Sequence, residues 1–351
     1  MDDTTSSTGP PAPTGAGDLD DGITVASSAR VLGRLWAGPR TYLAQGAIIR
    51  SLDGVELGHD SAVLEGCVVI GTTADPVRIG RKAVFGHRCT VIGAEIGDLC
   101  EIGNASVLLP GSSVGTGCFL GERTLVPAGQ RIPPGSVAVG QPARVIRAAN
   151  EADQRRLLGL RAGDLRLHDA QLGAHTGRIG SMGSLYAYRG IEPTVGDGAV
   201  LFDSAEVTGD VTIGPDTIIG AGVKIIGDSH GPVRIGARVQ ILENAVLHLL
   251  PDNDLLIEDD VIIGPNAMIH GCHIGAGTVV EPAATVCDHA VIGRECVVGA
   301  GSVVKQRSQM ADHSVIDGFP AVVVGRLDGP PPRPAWRLDV DDLPRLLDRQ
   351  L

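Results

Sequence analysis

The sequence predicts an all-β protein made of two tandem left-handed parallel β-helices with a linking α-helix. Three observations carry this. An aliphatic residue, or once a Met, recurs every six positions: Ile274, Val280, Val286, Ile292, Val298, Val304, Met310, Ile316. Gly often follows it, as in Ile213-Gly214, Ile235-Gly236 and Ile292-Gly293. The stretch from about 57 to 143 also reappears 178 residues later, with Ile96-Gly97 matching Ile274-Gly275 and Cys118 matching Cys296.

A period of six fits neither a helix at 3.6 nor an alternating strand at 2. It fits a coil of three short strands, about 18 residues per turn, with one aliphatic residue per strand on the axis and Gly easing the corners. The first series runs Ile102, Leu108, Val114, Leu120, Val126, Ile132. The second begins Val207, Ile213, Ile219, Ile225 and resumes at Ile235, Ile241, Leu247. Residues 1–22, acidic and rich in Pro, Gly, Ser and Thr, read as a disordered tail. Residues 23–150 form the first β-helix domain and 185–326 the second. Residues 151–184 hold an amphipathic helix and linker, and 327–351 a tail with one short helix.

Composition narrows function. The chain has 351 residues, a formal charge of −12 and only 3% aromatic residues. It has no basic stripe, so nucleic acid is not an expected partner. No C-x-x-C occurs among the seven Cys, and no disulfide framework is expected. The N-terminus has no basic n-region followed by an apolar run, so neither a signal peptide nor a membrane span is expected, and a cytoplasmic location follows. There is no P-loop, dinucleotide fingerprint or Ser nucleophile elbow.

Each half resembles a γ-class carbonic anhydrase, the second more closely. Its segments Tyr188-Arg-Gly-Ile-Glu-Pro193, AEVTGDVTIGPDTIIGAG, GPVRIG and AMIHGCHIG carry the likeness, and the first half closes with IPPGSVAVGQPARVIR. The resemblance implies three zinc-binding His, the second 17 residues after the first and the third 5 after that. The first and third come from one subunit of a trimer and the middle one from its neighbour. The second half then offers His248, Pro265 and His270, and the first half Ile70, His87 and Ile92. One pairing of a first half with a second half unites His87, His248 and His270. The opposite pairing brings Ile70, Pro265 and Ile92 together.

The expectation is one His₃ zinc site per chain, with the halves side by side and His87 facing His248 and His270. A monomer or two-fold dimer suits this better than a trimer. Three His leave a coordination position open for water, and zinc-bound hydroxide would attack CO₂ or a related small-molecule electrophile. Fe(II) or Co(II) would suit the same imidazoles. The family's Gln-Asp pair, six and five residues before the first His, reads Leu242-Glu243 here. Glu243 is a candidate proton acceptor or an interface ion-pair partner. Leu242, His230 and Pro265 are further pocket candidates. The lost Gln motivates alternatives: another hydrolytic, lyase or cyclising biosynthetic step, an acyltransferase on the same fold, or a non-catalytic scaffold.

Overall fold

The computed structural model describes residues 23–162, 183–228 and 231–347. The proposed disordered tail, much of the linker and His230 lie outside the described residues.

The strands fall into two sets, 24–148 and 184–326, and no strand of one set pairs with a strand of the other. Within each set the strands are mostly two or three residues long, and each pairs in parallel with the strand one coil away. Val68–Thr72, Thr90–Ile92 and Val107–Leu108 stack along one face of the first set. Val246–Leu247, Met268–Ile269 and Thr285–Val286 stack along the equivalent face of the second. The six-residue aliphatic series forms the axial column of each set. Leu108, Val126, Ile241, Leu247, Val280 and Val298 have no exposure at all. Each such side chain contributes about 1.5–3 kcal/mol of burial.

Both sets end in an antiparallel hairpin that covers the last coil's edge: Ser136–Val139 with Arg144–Ala148, and Ser314–Gly318 with Ala321–Arg326. The linking helix spans Glu151–Ala162. Arg156 ties it to Glu101 of the first set at 3.0 Å. The tail forms a 3₁₀ turn, Val340–Asp342, and a helix, Leu343–Leu347.

The two sets lie side by side. One flank of the first supplies Ile48, Val68, Ile70 and Ile92; one flank of the second supplies Phe202, Ile218, Leu242 and Val279. Trp336, Leu338, Leu343 and Leu346 of the tail join the same apolar seam. Arg50 Nε lies 2.7 Å from Glu243 Oε1 inside it, at 2% and 1% exposure. Arg50 Nη2 donates to Trp336 O at 2.6 Å.

The inner edge of this seam is a corner of each coil. Asn244 and Asn266 sit there with φ of 57°, a left-handed conformation that Asn tolerates. Asn244 Nδ2 donates to Gly66 O at 3.2 Å, and Gly66 is its own counterpart 178 residues earlier. Asn266 Nδ2 donates to Thr90 Oγ1 at 2.9 Å, two residues past its counterpart Arg88. Further along, Arg123 lies 5.4 Å from the Phe319 ring centroid, and Gln141 packs near Gly301. Gly301 and Phe319 are the counterparts of Arg123 and Gln141. Like corners thus meet at like levels.

Candidate metal centre

Stacking of consecutive coils brings His248 and His270 together. Leu247 pairs with Ile269, so the next residue on each strand projects from the same face. The two imidazoles lie 6.3 Å apart, ring centre to ring centre, edge to face. His270 Nδ1 lies 3.4 Å from Asp288 Oδ2, and Asp288 is almost fully buried. Three N–H groups hold that carboxylate: Leu250 N at 3.1 Å, Gly271 N at 3.2 Å and Asn253 Nδ2 at 3.2 Å. The Asp288 carboxylate thus lies beside the Nδ1 edge of the ring without a hydrogen bond to it. The loop after His248 is therefore the bracket that holds Asp288, through Leu250 and Asn253.

His87 also has a carboxylate nearby. Its Nδ1 lies 2.7 Å from Glu65 Oε2, and its side chain is 55% exposed. It sits just before the corner residue Arg88, on the flank that the second set does not cover.

The structure does not bring His87 to His248 and His270 within the chain. Among the described residues no group of three His, Cys, Asp or Glu could hold a metal ion. The expected side-by-side packing is present but joins the other two flanks. Ile70 and Ile92 are buried in the seam with Leu242. Pro265 is buried next to Asn266, which bonds across it. The seam thus gathers Ile70 and Ile92, Pro265 is buried beside it, and the side chains of His87 and His270 are part-exposed outside it.

Glu243 is corrected as a proton acceptor: it is the buried partner of Arg50, far from solvent. Leu242 and Pro265 are likewise seam residues and do not line an open pocket. The sequence reading missed Glu65 and Asp288. Glu65 was available from the repeat, since it precedes Glu243 by 178 residues and Leu64 precedes Leu242 by the same amount. Asp288 was available from the coil period, since Ile269 pairs with Val286 and Asp288 therefore stacks one coil above His270 and Gly271.

The class these coils define is a hexapeptide-repeat protein. The family model described as "Bacterial transferase hexapeptide (six repeats)" matches residues 271–306. A second, "Hexapeptide repeat of succinyl-transferase", matches 76–110 and 255–282. Within this class the chain is similar to a carbonic anhydrase of Geobacillus kaustophilus, 36% identical over 109 residues, or 31% of this chain and 59% of that one. It is also similar to the carnitine operon protein CaiE of Escherichia coli, 34% identical over 112 residues, or 32% and 57% of the two chains. It thus spans less than two thirds of the length of these relatives. A hexapeptide transferase family protein from Anaplasma phagocytophilum aligns over 41% of this chain and 84% of its own, at 28% identity and a TM-score of 0.40. Among the described residues no helix is long and apolar enough to cross a membrane.

Proposed function

We propose that the chain is two tandem β-helix domains, 23–150 and 185–326, of a carbonic-anhydrase-like zinc enzyme. His248 and His270 form one part of a metal site and His87 forms part of another, each to be completed by a domain of another chain. The paired imidazoles, with Asp288 behind one of them, carry this reading. The donor set suits zinc: imidazole nitrogens, with a carboxylate near Nδ1 of His87 and of His270. When bound, zinc supplies a Lewis acid that lowers the pKa of water to about 7. The chain's own part is positional. Asp288 orients His270, Glu65 orients His87, and the rigid coils fix both. CO₂ is the substrate the resemblance favours. Leu64, beside His87, stands where an amide would orient the nucleophile, which favours slow hydration or another electrophile.

Zinc titration of the full chain tests the reading. Wild type should take up zinc, and His248→Ala/His270→Ala should lose most of that uptake. A CO₂ hydration assay of the zinc-loaded protein then separates hydration from other chemistry on the same site. The acyltransferase alternative rests on the transferase names of both family models and on similarity to the uncharacterized transferase YtoA of Bacillus subtilis, 41% identical over 90 residues. Acetyl-CoA binding without zinc uptake would favour it.

A further inference from the structure

We infer that the end of the molecule formed by the two closing hairpins docks on an anionic lipid surface.

The hairpins leave that end apolar. Arg144–Ala148 and Ala321–Arg326 are each the last strand of their sheet, and no described strand pairs with their outer edges. Val145 stands opposite Ala138, and Val323 opposite Ile316. Ala138 and Ile316 are fully buried in the axial columns, whereas Val145 is 47% and Val323 50% exposed. Directly opposed residues of an antiparallel pair project to the same side, so each column runs on past its last coil and is left uncovered. Ile146, Val322 and Val324, on the other side of the same strands, are exposed as well, and so is Phe319 at the hairpin tip, at 67%. Phe319 of the second set lies against Arg123 of the first, so the two hairpins share one surface. Apolar side chains gathered in this way mark an interaction site.

Charge selects the partner. The chain carries −12 overall. Yet Arg131, Arg144, Lys305, Arg307 and Arg326, on the last coils and hairpins, are exposed and make no ion pair among the described residues. Residues 127–149 contain no acid, and 303–327 contain Asp312 and Asp317. Both acids accept backbone hydrogen bonds, from Arg294 N and Gly318 N at 2.9 Å each. On such a surface apolar side chains enter the headgroup boundary while Arg and Lys reach the lipid phosphates, and the two contributions add. A second copy docked end to end would set the same cations against one another. The opposite end of the second set exposes Leu185, Tyr186 and Ile191 with Glu192 and Asp197 on the same coil, and serves as the internal control.

The test is flotation of the full chain with vesicles of equal parts phosphatidylglycerol and phosphatidylcholine, against vesicles of phosphatidylcholine alone. The chain should float with the mixed vesicles and stay behind with phosphatidylcholine, and high salt should release it by screening. Arg131→Gln/Arg144→Gln/Arg326→Gln should weaken partitioning about 100-fold, at roughly fivefold per cation. Phe319→Ser/Val322→Ser/Val324→Ser should weaken it about 10-fold or more. Leu185→Ser/Tyr186→Ser, at the acidic end, should leave it unchanged. The side chains replaced are exposed, so folding is retained, and the lipid and salt dependence of the wild type decides independently of any variant. No flotation with the mixed vesicles, or flotation that neither hairpin variant reduces, would overturn the inference. So would copies that associate with one another in the vesicle-free sample and do not float.

Discussion

The flank of the second set that holds Leu242, Glu243 and Pro265 is buried against the first set. On the equivalent flank of the first set, Leu64 packs against Tyr42, Ala44, Ala62 and Val84, while Glu65 and His87 are part-exposed. The same repeat positions thus meet the other set in one copy and keep part of their surface in the other. Glu243 pairs with Arg50, whereas Glu65 pairs with His87. The corresponding places read Pro265 in the second set and His87 in the first. A carboxylate at one repeat position thus pairs with a buried Arg in one copy and with a part-exposed His in the other.

The largest difference should come from the two glutamates. Glu243→Ala leaves Arg50 charged and unpaired inside the seam and should cost about 3–5 kcal/mol. Glu65→Ala, at a half-exposed pair, should stay within about 1 kcal/mol. Urea unfolding of both variants checks this. Equal losses would mean the seam is not formed as described.

Next come the two leucines. Leu242→Gln would bury an amide with no partner among Ile70, Ile92 and Val279, at a cost of about 2–3 kcal/mol. Leu64→Gln can turn its amide to solvent and should cost under about 1 kcal/mol. Thermal melts of the pair should separate by several degrees, and a Leu242→Gln protein as stable as wild type would contradict a closed seam.

A smaller effect should appear at the metal. Asp288→Asn keeps the shape but removes the charge behind His270, and should weaken zinc or cobalt binding about 10–100-fold. Competition with a chromophoric chelator measures it. Unchanged affinity would deny Asp288 its supporting role.

The smallest effect concerns pH. Burial against the tail pushes the Glu281 carboxyl up from 4.5 to about 7, although Trp336 Nε1 donates to it at 3.2 Å and pulls the other way. Its folded pKa lies above its unfolded value, so the folded protein holds this proton more tightly. The stability it contributes is full below about pH 4.5 and is lost as pH rises through about 7. The loss should be about 1–2 kcal/mol once partial exposure is allowed for. Glu281→Gln should flatten that part of the stability profile, and an unchanged slope would assign it to other groups.

Much of the fold was legible because the six-residue period records one inward side chain per strand, and nothing else in a globular chain keeps that rhythm. The pairing of His248 with His270 was implied by the resemblance rather than by the period, because the loop after His248 breaks the six-residue rhythm. Which flanks meet was not legible. Both flanks of both copies carry Val, Ile and Leu, so hydrophobicity alone does not choose between the two head-to-tail pairings. The choice lies in a few contacts that only geometry reveals: Arg50 with Glu243, Asn266 with Thr90, and the tail laid over the outer edge through Trp336. The His pattern pointed to a pairing within one chain that the packing of the two sets does not make.

The most direct measurement is a disulfide trap between the two sets in the full chain. Thr90→Cys/Asn266→Cys replaces a side-chain contact of 2.9 Å across the seam, and His87→Cys/His270→Cys spans the two free flanks. Under mild oxidation, on a non-reducing gel and by peptide mapping, the first pair should form a bond within one chain and the second should not. An intramolecular bond between positions 87 and 270, with none between 90 and 266, would mean that the chain closes on its ligands and that the seam described here is wrong.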